Sequence, residues 1–328
     1  MACYSPLKGY KDPVTGGLTF RRKDTLSRME VACGQCLGCR LDYSRMWAVR
    51  IVHEAAVHEF AGGNSFVTLT YRDRAQCTLE ELHNGYHVPG DWSLHLKHFQ
   101  DFMKRLRKAF APQRIRYFHV GEYGRICRHG INVYEDKCSM LCNVGRPHFH
   151  ACLFNCSFED LEVYSSTNGE PRFTSPRLSR IWKYGFVDVG EVNYASAAYG
   201  ARYILKKIKG VPAYDHYYST DLDGNVVTLK REYCTMSRKP GLGEEFYRNY
   251  RDDIFPSDEV AVPGYGVVPK VPRYYEELFK KEFPLTLEEI KALRLKFKKD
   301  HEEEYSDERL YAKFRVKKRQ VGFLKRTV

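Results

Sequence analysis

The chain has 328 residues, with 53 Lys and Arg against 41 Asp and Glu, a formal charge of +12, and 43% hydrophobic and 14% aromatic residues. That length accommodates one large domain or two ordinary ones, and the aromatic content excludes a disordered chain. No stretch approaches the roughly 20 apolar residues that cross a bilayer, and a basic, aromatic-rich chain points to a polyanionic partner, most simply nucleic acid.

The first residues, Met1-Ala2-Cys3-Tyr4-Ser5-Pro6, lack the charged-then-apolar order of an export signal, so the chain is expected to be soluble and intracellular. Its 11 cysteines are then expected as thiols, and clustered ones read as metal ligands before disulfides. Cys33-Gly34-Gln35-Cys36-Leu37-Gly38-Cys39 is the obvious cluster, with Cys3 as a fourth member. Four thiolates suit a structural Zn²⁺ with no open position for chemistry; buried free thiols are the alternative. An iron–sulfur cluster fits less well, because no Cys-Pro follows Cys39.

Residues 41–60 read as a helix, with Trp47, Ile51 and Ala55 at near-helical spacing and Gly62-Gly63-Asn64 as its stop. Residues 66–71 (FVTLTY) alternate as a strand. Residues 94–110 form an amphipathic helix of Leu96, Phe99, Phe102, Met103 and Leu106 with a basic back. Residues 115–123 read as a second strand, 124–145 as an inserted loop, and 149–154 as a third strand opening after Pro147. A short helix over 177–184, a strand over 186–192 and a helix over 194–208 complete the block. This order predicts an α+β fold on one antiparallel sheet. Beyond it, 226–234 reads as a strand after Asp223-Gly224-Asn225. Pro256, Pro263, Pro269 and Pro272 mark an extended stretch, and Thr286 opens a helix running toward Lys299. The tail, 313–326, holds seven basic residues in fourteen and no acid, the signature of a non-specific grip on DNA backbone. The expected organisation is a Cys-rich segment with its helix over 1–62, a core over 63–210 and an accessory, DNA-binding region over 211–328.

Within the core, His148-Phe149-His150 lies on the third strand, so both imidazoles leave one face while Phe149 turns to the other. Glu122, in the adjacent strand, supplies a third ligand across a hairpin. Two imidazoles and a carboxylate leave positions open for a phosphate oxygen and water, which suits Mg²⁺ or Mn²⁺; the same trio also suits iron in an oxygenase. On the last helix of the block, Tyr199 and Tyr203 share a face, with Lys206 three residues beyond Tyr203 and Arg202 at the same offset from Tyr199. A neighbouring cation favours the phenolate that a nucleophilic tyrosine needs, whereas a core-facing aromatic pair is the plainer reading. Arg116, Arg146, Tyr117 and Tyr123 are candidates to guide and stack a nucleic-acid strand. The inserted loop carries Cys127, His129, Cys138 and Cys142, whose irregular gaps favour ordinary thiols over a second zinc site.

His-x-His on a strand, the preceding Gly121-Glu122-Tyr123-Gly124, and Tyr199-x3-Tyr203-x2-Lys206-Lys207 together resemble the HUH endonucleases. The order of motifs, with Cys33 to Leu41 before them and Met236 to Gly243 (MSRKPGLG) after, is similar to the replication initiators of gokushovirus-type (microvirus) single-stranded DNA phages. Residues 125–144 depart from that pattern, in which a shorter link is expected. The resemblance implies a rolling-circle initiator that nicks single-stranded DNA at a replication origin. Glu122, His148 and His150 would hold the Mg²⁺ or Mn²⁺, and Tyr203 or Tyr199 would form a 5′-phosphotyrosine link, the other tyrosine serving later strand transfer. Lys206 would stabilise the phenolate, and a host polymerase and helicase would act with the protein in the cytoplasm of a bacterial host. Two other classes remain open from the residues alone: a non-catalytic, zinc-stabilised nucleic-acid-binding protein, and a metal hydrolase or oxygenase using the triad without the tyrosines.

Overall fold

A computed structural model describes residues 3–12, 14–22, 26–140, 142–167, 170–206, 212–221 and 224–323, with the side chains of 203–206 outside the description. In chain order the elements are β1 (Leu7–Lys11), β2 (Leu18–Thr19), β3 (Ser27–Val31), α1 (Leu37–His58), β4 (Asn64–Tyr71), α2 (Leu79–His83), α3 (Leu96–Ala109), β5 (Arg116–Tyr123) and β6 (Pro147–Phe154). There follow β7 (Glu162–Thr167), β8 (Glu170–Thr174), α4 (Pro176–Trp182), β9 (Gly185–Gly190), α5 (Tyr194–Lys206), α6 (Pro212–His216), β10 (Tyr218–Thr220), β11 (Val226–Thr228) and β12 (Tyr233–Met236). The last are α7 (Glu244–Ser257), β13 (Glu259–Val262), β14 (Gly266–Pro269), α8 (Arg273–Glu282), α9 (Pro284–Asp300) and α10 (Asp307–Phe323).

Two compact units emerge. One, of Trp47–Ile254 and Glu259–Pro272, is built on a seven-stranded antiparallel sheet in the order β12-β5-β6-β4-β9-β8-β7. The expected α+β architecture is therefore present. Its core forms where α3 and α4 lay Phe99, Phe102, Leu106, Leu178 and Trp182 against Leu69, Phe149 and Leu153 of the sheet. α4 is well started: Ser175 accepts the Leu178 N–H and Pro176 needs no donor at the first helical position. The central strands β5 and β6 are buried along almost their whole length, the sign of a sheet covered on both faces.

The opposite face is covered by α1 and α5. Trp47 packs on Phe118 with ring centroids 5.4 Å apart, and Glu54 is buried in an ion pair with Arg116. α5 begins with a reciprocal cap, Ser196 N–H to Asn193 Oδ1 and Asn193 N–H to Ser196 Oγ, each 2.9 Å. Its inner face is made of small residues: Ala197 and Ala201 are fully buried, and Gly200 lies over Phe118. That smoothness lets the helix lie close on the sheet.

The other unit, of Met1–Met46, Phe255–Asp258 and Arg273–Val328, holds the three-stranded sheet β2-β1-β3, the N-terminal cysteines and α8 to α10. Tyr4 meets Phe314 at 5.9 Å, Lys298 pairs with Glu30 at 3.0 Å, and Arg294 bridges Asp258 and Glu276.

Several expectations need correction. Residues 226–234 are not one strand: β11 pairs with β10, while β12 joins the edge of the main sheet beside β5. The proline-marked stretch is not simply extended, because it contains the end of α7 and the β13–β14 hairpin. The β1–β3 sheet and the β7–β8 hairpin carry too little apolar alternation to be read from sequence, and their outward residues are largely exposed.

Candidate metal centre and active site

Antiparallel pairing puts Glu122 directly opposite His148, and His150 two residues further along β6 leaves the same face. The result is a tight trio: Glu122 Oε1 lies 2.7 Å from His148 Nε2 and 2.9 Å from His150 Nε2, and all three residues are buried. Each ring is aimed by its other nitrogen. His148 Nδ1 is 3.1 Å from the Arg146 carbonyl oxygen, and His150 Nδ1 is 2.9 Å from Thr68 Oγ1 on β4. A carbonyl only accepts, so His148 carries its hydrogen on Nδ1 and, in the neutral ring, turns the Nε2 lone pair toward the carboxylate. Acceptors that close need a cation or a proton between them. Burial opposes ionisation of Glu122, yet His148 and His150 beside it hold its carboxyl down at about 2. The donor set of two imidazoles and one carboxylate fits a divalent ion, with oriented second nitrogens of the kind metal-binding histidines use.

Tyr199 of α5 stands edge-on to His150, ring centroids 5.3 Å apart, and edge-on to Phe66 at 6.3 Å; Phe66 in turn stacks on His150. The structure thus brings Glu122, His148, His150 and one tyrosine together. The backbone of Tyr203 and Lys206 lies on α5, but their side chains, and all of Lys207, are outside the described residues. Arg202 Nε donates to the Ala198 carbonyl within the helix, 3.3 Å away.

Four residues read as strand-guiding need revision. Arg116 is buried, paired with Glu54, and donates to the Pro240 carbonyl at 2.9 Å. Tyr123 is buried, with its hydroxyl donating to the Lys230 carbonyl and accepting the Leu94 N–H. Tyr117 packs on Phe99 under Arg107, and Arg146 is tied to the Tyr71 carbonyl and Asp73. These are structural anchors. The exposed aromatic beside the trio is one that sequence reading passed over: Phe186, 54% exposed, which pairs with Thr70 on the same rung as His148 and Glu122. The alternation of β9 was the signal, since it sends Phe186 and Asp188 to the face opposite Val187 and Val189.

The N-terminal cysteines also converge. Cys33 and Cys39 sulfurs are 4.0 Å apart and those of Cys36 and Cys3 are 3.9 Å apart, too far for disulfides and close to the S···S edge of about 3.8 Å in a zinc–thiolate tetrahedron. Gly34, at φ +72°, makes the turn that returns Cys36 toward Cys33. Burial opposes ionisation of Cys36, but the backbone N–H groups of Cys39 and Tyr4 bring its thiol down to about 6. The inserted loop overturns an expectation: Cys127, His129, Cys138 and Cys142 are gathered with their ligand atoms within 4.8 Å of one another.

Residues 64–208, which span the trio and α5, match the family model for the replication-associated protein ORF2. The chain belongs to this family of phage replication-associated proteins, the class that the motif resemblance indicated. It is 32% identical over 298 residues to replication-associated protein ORF2 of Spiroplasma virus 4, covering 86% of this chain and 82% of that protein. It is 28% identical over 289 residues to replication-associated protein VP4 of Bdellovibrio phage phiMH2K, covering 87% and 79%. Replication-associated protein ORF4 of Chlamydia phage 1 is 30% identical over 259 residues, covering 76% and 53%. No solved structure matches the chain at a significant level.

Proposed function

We propose that the protein is an HUH-type initiator of rolling-circle replication, nicking one DNA strand at an origin and staying attached to it through a phosphotyrosine. The observation that carries this reading is the juxtaposition of Tyr199 with His150 on the covered face of the sheet. Glu122, His148 and His150 hold a Mg²⁺ or Mn²⁺, which supplies Lewis-acid polarisation of the scissile phosphate. Tyr199 or Tyr203 gives up its phenol proton and attacks phosphorus through the oxygen. The bond from phosphorus to the 3′ oxygen breaks, and that oxygen takes a proton. The products are a 5′-phosphotyrosine and a free 3′-hydroxyl, a primer for a host polymerase following a host helicase. Because the phosphodiester energy is kept in the link, attack by a 3′-hydroxyl reverses the step without ATP. Lys206 stabilises the phenolate or the charge of the transition state.

Around this centre, Cys3, Cys33, Cys36 and Cys39 hold a structural Zn²⁺. α10 presents exposed Lys313, Arg315, Lys317, Lys318 and Arg319 to DNA phosphates, a salt-sensitive contact. Among the described residues no helix is long and apolar enough to cross a membrane, and the reaction belongs in the cytoplasm of the bacterial host.

The test uses a labelled single-stranded origin oligonucleotide and Mn²⁺. A covalent adduct that survives denaturant, forms only with the divalent ion, and disappears in Tyr199→Phe/Tyr203→Phe and in His148→Ala is the expected result. An adduct of undiminished yield in the double tyrosine variant would overturn the assignment.

A further inference from the structure

We infer that the insert between β5 and β6 is a second structural zinc site, with Cys127, His129, Cys138 and Cys142 as its ligands. This goes beyond the nicking reading and stands or falls independently of it.

The insert has almost no other means of support. Among its described residues there is neither helix nor strand, only an isolated bridge between Ile126 and Asn132. Its private core consists of the three cysteines with Ile131 and Val133 packed beside them. A segment of about twenty residues cannot hold a fixed shape on so small an apolar cluster, and small domains short of a core use disulfides or metals instead. All three cysteines are free thiols.

The donor geometry fits a tetrahedral ion. The sulfurs of Cys138 and Cys142 lie 3.5 and 3.4 Å from His129 Nδ1. Bonds of about 2.3 Å to sulfur and about 2.05 Å to nitrogen give an S···N edge of about 3.5 Å at the tetrahedral angle. The backbone shapes the cage locally: Gly130 N–H returns to the Cys127 carbonyl at 3.0 Å and Cys127 N–H to the Ile131 carbonyl at 2.9 Å, so Cys127 and His129 share one tight turn. Three thiolates and an imidazole are soft donors that select zinc over Mg²⁺ or Mn²⁺, and four protein ligands leave no vacancy for chemistry.

The position gives the staple a purpose. Cys127 is five residues after Glu122, and Cys142 is six before His148. Between staple and trio the two chains stay paired, Gly124 N–H to the Arg146 carbonyl and Arg146 N–H to the Ile126 carbonyl, at 2.8 and 2.9 Å. Zinc in the insert therefore closes the open end of the hairpin that sets Glu122 opposite His148.

The experiment counts zinc on the full chain by elemental mass spectrometry after exhaustive buffer exchange without chelator. Two zinc ions per chain are expected, falling to one in Cys138→Ser/Cys142→Ser and, separately, to one in Cys33→Ser/Cys36→Ser. A count unchanged by Cys138→Ser/Cys142→Ser overturns the inference. Should that variant aggregate, His129→Ala, at an exposed ligand, serves instead: a chromophoric chelator should strip one of its zinc ions at a concentration on the order of tenfold lower than for the unaltered chain. Indistinguishable release curves for the two proteins would equally overturn the inference.

Discussion

Thr68→Val tests how the triad is aimed without touching a ligand. Thr68 is half-buried on β4, Cα-paired with His150 on one side and Asp188 on the other, and its hydroxyl lies 2.9 Å from His150 Nδ1. While that oxygen accepts the Nδ1 hydrogen, Nε2 is a lone pair directed at the ion. Valine keeps the β-branched shape that suits the strand but offers no acceptor, so the ring is released to rotate or to move its hydrogen onto Nε2, where it cannot ligate. Loss of such an orienting partner typically costs about 10- to 100-fold in metal affinity, or about 1.4 to 2.8 kcal/mol. Electron paramagnetic resonance of free Mn²⁺, titrated into zinc-loaded protein, reads the binding constant directly. Thr68→Val should weaken Mn²⁺ by that factor with unchanged stoichiometry, while Thr68→Ser, which keeps the hydroxyl, should stay near the unaltered chain. Identical Mn²⁺ isotherms for Thr68→Val and the unaltered chain would show that the hydroxyl does not orient the ring.

Phe186→Ala should weaken single-stranded DNA binding, measured by fluorescence anisotropy, by about 1 to 3 kcal/mol if a base stacks there, and leave Mn²⁺ binding alone. Glu54→Ala leaves the buried Arg116 guanidinium without its partner and should lower unfolding free energy in urea by about 3 to 5 kcal/mol. Burial opposes ionisation of Glu54, but His58, the Gly243 N–H and Arg116 together hold its carboxyl below the ordinary range. Its contribution should be full above about pH 4.5 and fade as pH falls toward the folded-state value, a slope that Glu54→Gln should flatten. Gly145→Ala should destabilise the protein more than an ordinary surface change, measured by thermal unfolding, because its new Cβ would stand 2.3 Å from the Gly124 carbonyl oxygen, where the two arms of the insert meet.

The parts of the site legible in sequence are those governed by a short period. Two-residue alternation fixes His148 and His150 on one face, and a hairpin from 116 to 154 brings Glu122 across from them whatever its loop contains. Small residues at 197, 200 and 201 are visible in the sequence as well, but their consequence, a helix lying close enough to set Tyr199 against His150, needs the sheet beneath. Arg116 and Tyr123 show the limit. Their charge and aromaticity suggest a DNA contact, yet each is claimed by a backbone carbonyl more than a hundred residues away, Pro240 and Lys230 respectively, and no local pattern announces that. The insert fails for a related reason. Its ligands are spaced by turns rather than by a helix or strand, so their convergence depends on backbone hydrogen bonds that carry no periodic signature.

The three clusters sort metals by donor chemistry, and that bears on any experiment that removes them. Two imidazoles and a carboxylate form a harder, open set, whereas the two cysteine-rich clusters are soft and closed. By the usual order of divalent affinities zinc also outcompetes Mg²⁺ and Mn²⁺ at nitrogen and oxygen donors, so the triad's preference cannot come from the two imidazoles. What the triad has and the cysteine clusters lack is room for further oxygen ligands, and a DNA phosphate supplies them only when substrate is bound. Hard-metal selectivity at the triad then belongs to the complex with DNA more than to the free protein. A strong chelator would strip structural and catalytic ions alike, so loss of activity in chelator assigns nothing. Restoration by Mn²⁺ after zinc has been returned separates the ion that shapes the hairpin from the ion that meets the phosphate.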